Sequence, residues 1–235
     1  MKNPILVALD VSSVEKAMDL AGRLAPTVGG FKVGKELFTR GGPEVVRRLR
    51  AMGATVFLDL KFHDIPNTVA RAVQAVAELD VQMLTVHTCG GRAMMEAAIA
   101  QARSTDSNAP RAPGPGSAIA GQLDGGRPLI LGVTVLTSFD GAALHEVGIQ
   151  DDVGGQVERL ARLAWDSGIR GLVCSPLEIA ALRQLLPPEL TLVTPGIRPE
   201  VIPDDDQRRT LTPREALDAG ADWLVIGRPI TAAPD

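Results

Sequence analysis

Between Asp59 and Val69 the chain reads DLKFHDIPNTV, and no other stretch gathers so many residues able to do chemistry. It starts as an apolar strand, then carries Asp59, Lys61, His63 and Asp64 before a proline-started helix. Residues two apart on a strand share a face, so Asp59 and Lys61 should present an acid and a base side by side. Asp10 ends the first apolar run of the chain and Lys32 sits within the second. A buried salt-bridge network closing the structure is the bland reading of these charges. It is energetically poor, because buried ion pairs often stabilise no better than apolar packing. A site is the better reading: an ammonium group beside carboxylates can stabilise negative charge and move a proton.

Two further stretches, TPGIRP and IGRP, follow the last two apolar runs. There Gly196 and Gly227 would let backbone N–H groups approach an anion, and Arg198 and Arg228 would supply charge. Together they point to a phosphorylated substrate on the opposite side of the site from Asp59 and Lys61. His63 is read as a loop anchor, His87 as a residue that could line the pocket, and His145 as exposed. Cys89 and Cys174 match neither a metal site nor a redox pair and are read as core or near-core residues.

The elements that must position these groups are legible as eight short apolar runs: PILVAL, GFKVG, ATVFLDL, VQMLTV, PLILGVTVL, GLVC, LTLVTP and DWLVIG. Each is nearly continuous in apolar residues, as a strand buried on both faces should be. Between them lie segments with apolar residues every three or four positions, such as VEKAMDLAGRLA, NTVARAVQAVAEL, RAMMEAAIAQA, VGGQVERLARLAWDSG and PLEIAALRQLL. Strands alternating with helices predict an α/β fold, a (β/α)8 TIM barrel in one domain over residues 1–235. A doubly wound open sheet is the alternative, since the pattern does not reveal closure. In a barrel, Asp10, Lys32, Asp59 and Lys61 would gather at the C-terminal strand ends, where such folds place their sites. The Pro, Gly and Ser-rich segment 104–128 is predicted to be a flexible loop without chemistry. After the eighth run the chain stops at RPITAAPD, too early for a full closing helix, so either the barrel closes without one or a tail is lacking.

The 235 residues are 45% hydrophobic, ample for one sizeable core. A net charge of −4 and an aromatic content of 3% argue against nucleic-acid binding, which relies on clustered cations and stacking. The N-terminal MKNPILVALDVSS has too short an apolar run for a signal peptide, and no stretch is long enough to span a bilayer. A cytoplasmic protein that binds neither membrane nor nucleic acid is expected.

In combination DLKFHDIPNT, VTVLTS, VTPGIRP, DQRR and VIGRP resemble the bacterial type of the orotidine 5'-phosphate decarboxylase family, from Asp10 to about Thr231. The resemblance implies a homodimeric (β/α)8 barrel that converts orotidine 5'-monophosphate (OMP) to uridine 5'-monophosphate (UMP) and carbon dioxide. This is the last step of de novo pyrimidine synthesis, and it uses no metal or organic cofactor. It assigns a charged catalytic network to Lys32, Asp59, Lys61 and Asp64, with Lys61 as proton donor. It gives ribose hydroxyls to Asp10 and Lys32, the pyrimidine edge to Thr137 and Ser138, and the phosphate to Arg198, Gln207, Gly227 and Arg228. Asp64 and Thr68 would reach into the neighbouring subunit's site. The alternative within reach is a magnesium-dependent sugar-phosphate enzyme of the hexulose-phosphate synthase type, which shares an Asp-x-Lys-x-x-Asp arrangement. The LTS and DQRR segments favour the pyrimidine enzyme.

Overall fold

The structure, a computed structural model, describes residues 3–104, 127–198 and 210–234. All eight apolar runs form strands: Ile5–Ala8 (β1), Gly30–Gly34 (β2), Val56–Phe62 (β3), Met83–His87 (β4), Leu129–Val133 (β5), Gly171–Val173 (β6), Thr191–Thr194 (β7) and Trp223–Ile226 (β8). They pair in sequence order and in parallel, and β1 also pairs with β8 through Ile5↔Leu224 to Val7↔Ile226. The barrel is therefore closed, and the open-sheet alternative falls away.

The helices are Val14–Leu24 (α1), Lys35–Ala51 (α2), Pro66–Ala77 (α3), Arg92–Ser104 (α4), Gly141–Glu146 (α5), Val153–Asp166 (α6), Ile179–Leu185 (α7), Pro213–Asp218 (α8) and Arg228–Thr231 (α9). Several start where a short polar side chain satisfies an otherwise orphaned N–H. Ser13 accepts from Lys16 N at 3.2 Å, Asp140 from Ala143 N at 2.9 Å and Asp152 from Gly155 N at 2.7 Å. At α8, Thr212 and Glu215 form a reciprocal capping box. Helix α2 is kinked at Gly42, whose φ of 56° and the following Pro43 interrupt its regular turn. The segment PLEIAALRQLL is helical only in part, since Pro176–Glu178 makes a tighter 3-10 turn before α7.

Strand parity divides the core into two layers. Leu6, Ala8, Phe57, Met83, Leu131, Val193 and Val225 plug the barrel interior, while a larger cluster fills the space between strands and helices. The inward set continues along each strand, which carries Asp10 above Ala8, Lys32 above Gly30 and Asp59 above Phe57. Apolar packing thus forms the floor on which the charged residues stand.

Helix α9 has four residues, and the β1–β8 pairing closes the barrel without a longer helix there among the described residues. The flexible loop expected over 104–128 lies outside the described residues save for its ends, Ser104 and residues 127–128. Cys174 is buried, as expected, but Cys89 is exposed. It falls in the 3-10 turn Thr88–Gly90 just beyond β4, where the chain has left the buried sheet.

Candidate active site

A cavity of about 540 Å³ opens at the C-terminal ends of the strands. Its floor is apolar, formed by Ala8, Phe57, Val133, Val173 and Val225, and its wall carries Asp10, Lys32, Asp59 and Lys61. Thr137, Gly196, Arg198, Gly227 and Arg228 line the same space. Polar and charged groups converging over an apolar base suit a small polar ligand held in one orientation.

The charges come as two pairs. Lys32 Nζ donates to both oxygens of Asp10 at 2.9 Å, from the middle of β2 to the chain just beyond β1. Lys61 Nζ donates to Asp59 Oδ2 at 2.7 Å. Register places Asp59 beside Gly34 and Lys32 beside Phe57, so the two pairs stand on neighbouring strands. Gly34 gives the Lys32–Asp10 pair room: a Cβ there would lie 3.1 Å from Asp10 Oδ1 and 3.3 Å from Lys32 Nζ.

Asp59 and Lys61 meet, but not for the reason that strand parity suggests. Against β4, Leu58 pairs with Leu84 and Phe62 with Val86, so β3 runs four residues where β4 runs two. Lys61 lies within that bulge at a φ of 52°, a backbone conformation rare for a residue with a side chain. Its N–H donates to Thr85 Oγ1 at 2.8 Å, and the Thr85 hydroxyl donates in turn to Asp59 Oδ1 at 3.0 Å. Thr85 is fully buried on β4. It was not among the expected site residues, although its inward parity with Met83 and His87 in the run MLTVH marks it as a polar group inside the barrel.

Closure also fixes the layout of the anion site. Because β8 pairs with β1, the Gly227–Arg228 end stands at the β1 side of the mouth, and β7 and β8 lie across the barrel from Asp59 and Lys61 on β3, as expected. A Cβ on Gly227 would touch Ala8 Cβ at 3.6 Å, an ordinary contact, so packing alone does not require glycine there. Gly196 differs, since its φ of 77° favours glycine outright. Arg198 is 7% exposed; its backbone N–H donates to Leu211 O at 3.0 Å and its Nη1 to Ile197 O at 3.1 Å. This guanidinium is braced by backbone on the cavity wall. Gln207 and the rest of DQRR lie outside the described residues.

Other expected residues stand apart from this cavity in the single chain. Ser138 is exposed on the turn beside Thr137. Asp64 and Thr68 are exposed at the start of α3, and Asp64 borders a separate hollow with His63, Ile65, Pro66, Cys89 and Gly90. His63 and His87 face each other at 5.6 Å between ring centroids, and His145 is exposed. His87 is not on the cavity wall. Burial, then the nearby His63, Lys61 and Lys35, push its pKa down to about 4, against the opposing pull of Asp59. Cys174 lies on the wall, yet burial pushes its thiol up to about 12, so it offers no thiolate at neutral pH.

The fold and the site define a parallel (β/α)8 barrel enzyme class with paired carboxylates and ammonium groups at the mouth and arginines at the ends of the last two strands. The chain belongs to the orotidine 5'-phosphate decarboxylase / HUMPS family, whose model matches residues 3–235. It is 51% identical over 231 residues to an orotidine 5'-phosphate decarboxylase of Opitutus terrae, covering 98% of this chain and 92% of that one. A protein of the same name from Moorella thermoacetica is 50% identical over 235 residues, covering 100% and 88%. Among solved structures, the orotidine 5'-phosphate decarboxylase of Lactobacillus acidophilus superposes with a TM-score of 0.79 at 34% identity, covering 100% of this chain and 94% of that one. An uncharacterised conserved protein from Geobacillus kaustophilus gives 0.81 at 37% identity, covering 99% and 94%.

Proposed function

We propose that this cavity decarboxylates OMP to UMP and carbon dioxide with Lys61 as the proton donor to C6. That the chain is a carboxy-lyase of pyrimidine biosynthesis follows from its family and from relatives of that name at about half identity. The observation that carries the role of Lys61 is its 2.7 Å contact with Asp59 above an apolar floor. When the C6 to carboxylate bond breaks, its electron pair stays on C6 and carbon dioxide departs. The ammonium of Lys61 attracts that charge and then transfers its proton to C6, and the amine is reprotonated from solvent. One such charge pair about 4 Å apart contributes roughly 4 kcal/mol at an effective dielectric of about 20, about a thousandfold in rate. The remainder must come from other parts of the substrate, so binding energy from the remote phosphate has to help order the site.

In this reading Asp10 and Lys32 hold the ribose hydroxyls, and Thr137, with Ser138 beside it, lies against the pyrimidine edge. Arg198, Gln207, Gly227 and Arg228 hold the phosphate. Asp59 and Asp64 complete the charged network, Asp64 and Thr68 coming from the second subunit of a homodimer. Their exposure, together with Ile65 at 68% exposed between them, suits a surface that is covered by another copy. We place the enzyme in the cytoplasm; among the described residues no helix is long and apolar enough to cross a membrane.

The test is the absorbance of OMP followed with wild type, Lys61→Ala and Asp64→Ala. Both variants should fold and be severely impaired, and mixing them should restore turnover, because one site of each mixed dimer regains both residues. Unimpaired Lys61→Ala would remove the proton donor, and no recovery on mixing would remove the shared site. The family also includes the magnesium-dependent sugar-phosphate type, so chelation by EDTA is informative. Undiminished OMP turnover with EDTA is expected, and its loss would favour the metal-dependent relative.

A further inference from the structure

We infer that Thr85 is a positioning residue for the reaction, its hydroxyl fixing both the bulged backbone of Lys61 and the carboxylate of Asp59. The inference rests on the reading of Asp59 and Lys61 as the reacting pair. A residue with a side chain at positive φ costs on the order of 1–3 kcal/mol and persists only where its surroundings hold it. At Lys61, whose φ is 52°, the holding contact is the 2.8 Å hydrogen bond from its N–H to Thr85 Oγ1.

The direction of each bond is forced. The Lys61 N–H can only donate, so the hydroxyl oxygen accepts there; the Asp59 carboxylate accepts, so the hydroxyl proton goes to Oδ1 at 3.0 Å. Oδ2 is left for Lys61 Nζ at 2.7 Å. One hydroxyl therefore fixes both ends of the Lys61 residue: its backbone directly and its ammonium through the carboxylate. Threonine suits the task because its branched Cβ restricts χ1. Thr85 is 0% exposed and pairs with Leu131 on β5, so it is itself held by the barrel. It does not itself line the cavity.

Removing the hydroxyl should let the ammonium drift, and a displacement of about 1 Å of a reacting group costs about a hundredfold in rate. The experiment compares Thr85→Ser with Thr85→Ala, which differ only in the hydroxyl, and wild type with the near-isosteric Thr85→Val. The expected result is a kcat reduced about ten- to a hundredfold in Thr85→Ala and Thr85→Val, with KM for OMP and affinity for UMP close to wild type. Thr85→Ser should recover most of kcat. If Thr85→Val does not fold, the Ser and Ala pair decides alone. Equal kcat in Thr85→Ser and Thr85→Ala, or a KM that rises in step with the loss of kcat, would overturn the inference. Lys61→Ala run in the same assay separates the two levels. An active Lys61→Ala protein defeats the reading of the site, whereas an inactive one with normal Thr85→Ala defeats this inference alone.

Discussion

A Cβ on Gly34 would stand 3.3 Å from the Lys32 ammonium and 3.1 Å from Asp10 Oδ1, so any side chain there would press the first ion pair of the cavity to shift by a few tenths of an ångström. The φ of Gly34 is −92°, which any residue adopts, so glycine is kept there for space and not for backbone freedom. Gly34→Ala should fold, because the groups it meets are the far ends of flexible side chains, Lys32 and Asp10, and not backbone. It should displace the Lys32–Asp10 pair and raise KM for OMP severalfold more than it lowers kcat, which steady-state kinetics would resolve.

Arg228 carries the second prediction. It lies on the cavity wall just past the end of β8, the strand that pairs with β1. Arg228→Ala should lower kcat/KM for OMP by several orders of magnitude while the thermal midpoint barely moves. Orotidine, which lacks the phosphate, should be turned over about equally poorly by wild type and variant. Near-normal kinetics with OMP in Arg228→Ala would remove the phosphate clamp.

His87 makes the protein sensitive to acid. In the folded chain its pKa is depressed to about 4 from an ordinary 6.5, so below pH 6.5 the unfolded chain takes up a proton that the folded chain refuses. Above pH 6.5 both forms are neutral and the residue contributes no pH dependence. Stability should therefore fall as pH drops from 6.5 and this component should level off near 4. His87→Asn, which does not titrate, should lose less stability over that window in urea unfolding at pH 7.5, 6 and 5 if the sign is right.

At the other end of the barrel, Arg183 of α7 ties three segments together. It donates to Gly220 O at 2.7 and 2.9 Å, to Leu190 O at 2.6 Å and to Asp222 Oδ2 at 2.6 Å, and Asp222 Oδ2 also accepts from Leu192 N at 2.7 Å. Arg183→Met should lower stability by about 2–4 kcal/mol, because two carbonyls and a carboxylate lose a charged donor. Far from the mouth, it should leave kcat at low temperature unchanged. Chemical denaturation and an activity assay on the same sample would check both halves.

Much of this molecule follows from local pattern. Apolar runs too continuous for a one-sided sheet become eight parallel strands, and helices begin where Ser13, Asp140, Asp152 and Thr212 can cap them. The charged residues Asp10, Lys32, Asp59 and Lys61, and the Gly and Arg pairs after β7 and β8, were legible because barrel strands deliver their ends to one mouth. What was not legible depends on pairing between strands distant in sequence. Parity within β3 brings Asp59 and Lys61 to one face on paper, but a bulge against β4 is what joins them, and Thr85 enters only through that register.

The elements, the residue types at their ends and the family can be read along one chain, since they reside in local periodicity and in motifs. Folding alone reveals that the sheet closes with β8 against β1, that Gly34 leaves room for an ion pair, and that one buried threonine on β4 bonds the lysine on β3. These are relations between strands, set by register and closure, and a rule that looks two or four residues ahead does not contain them.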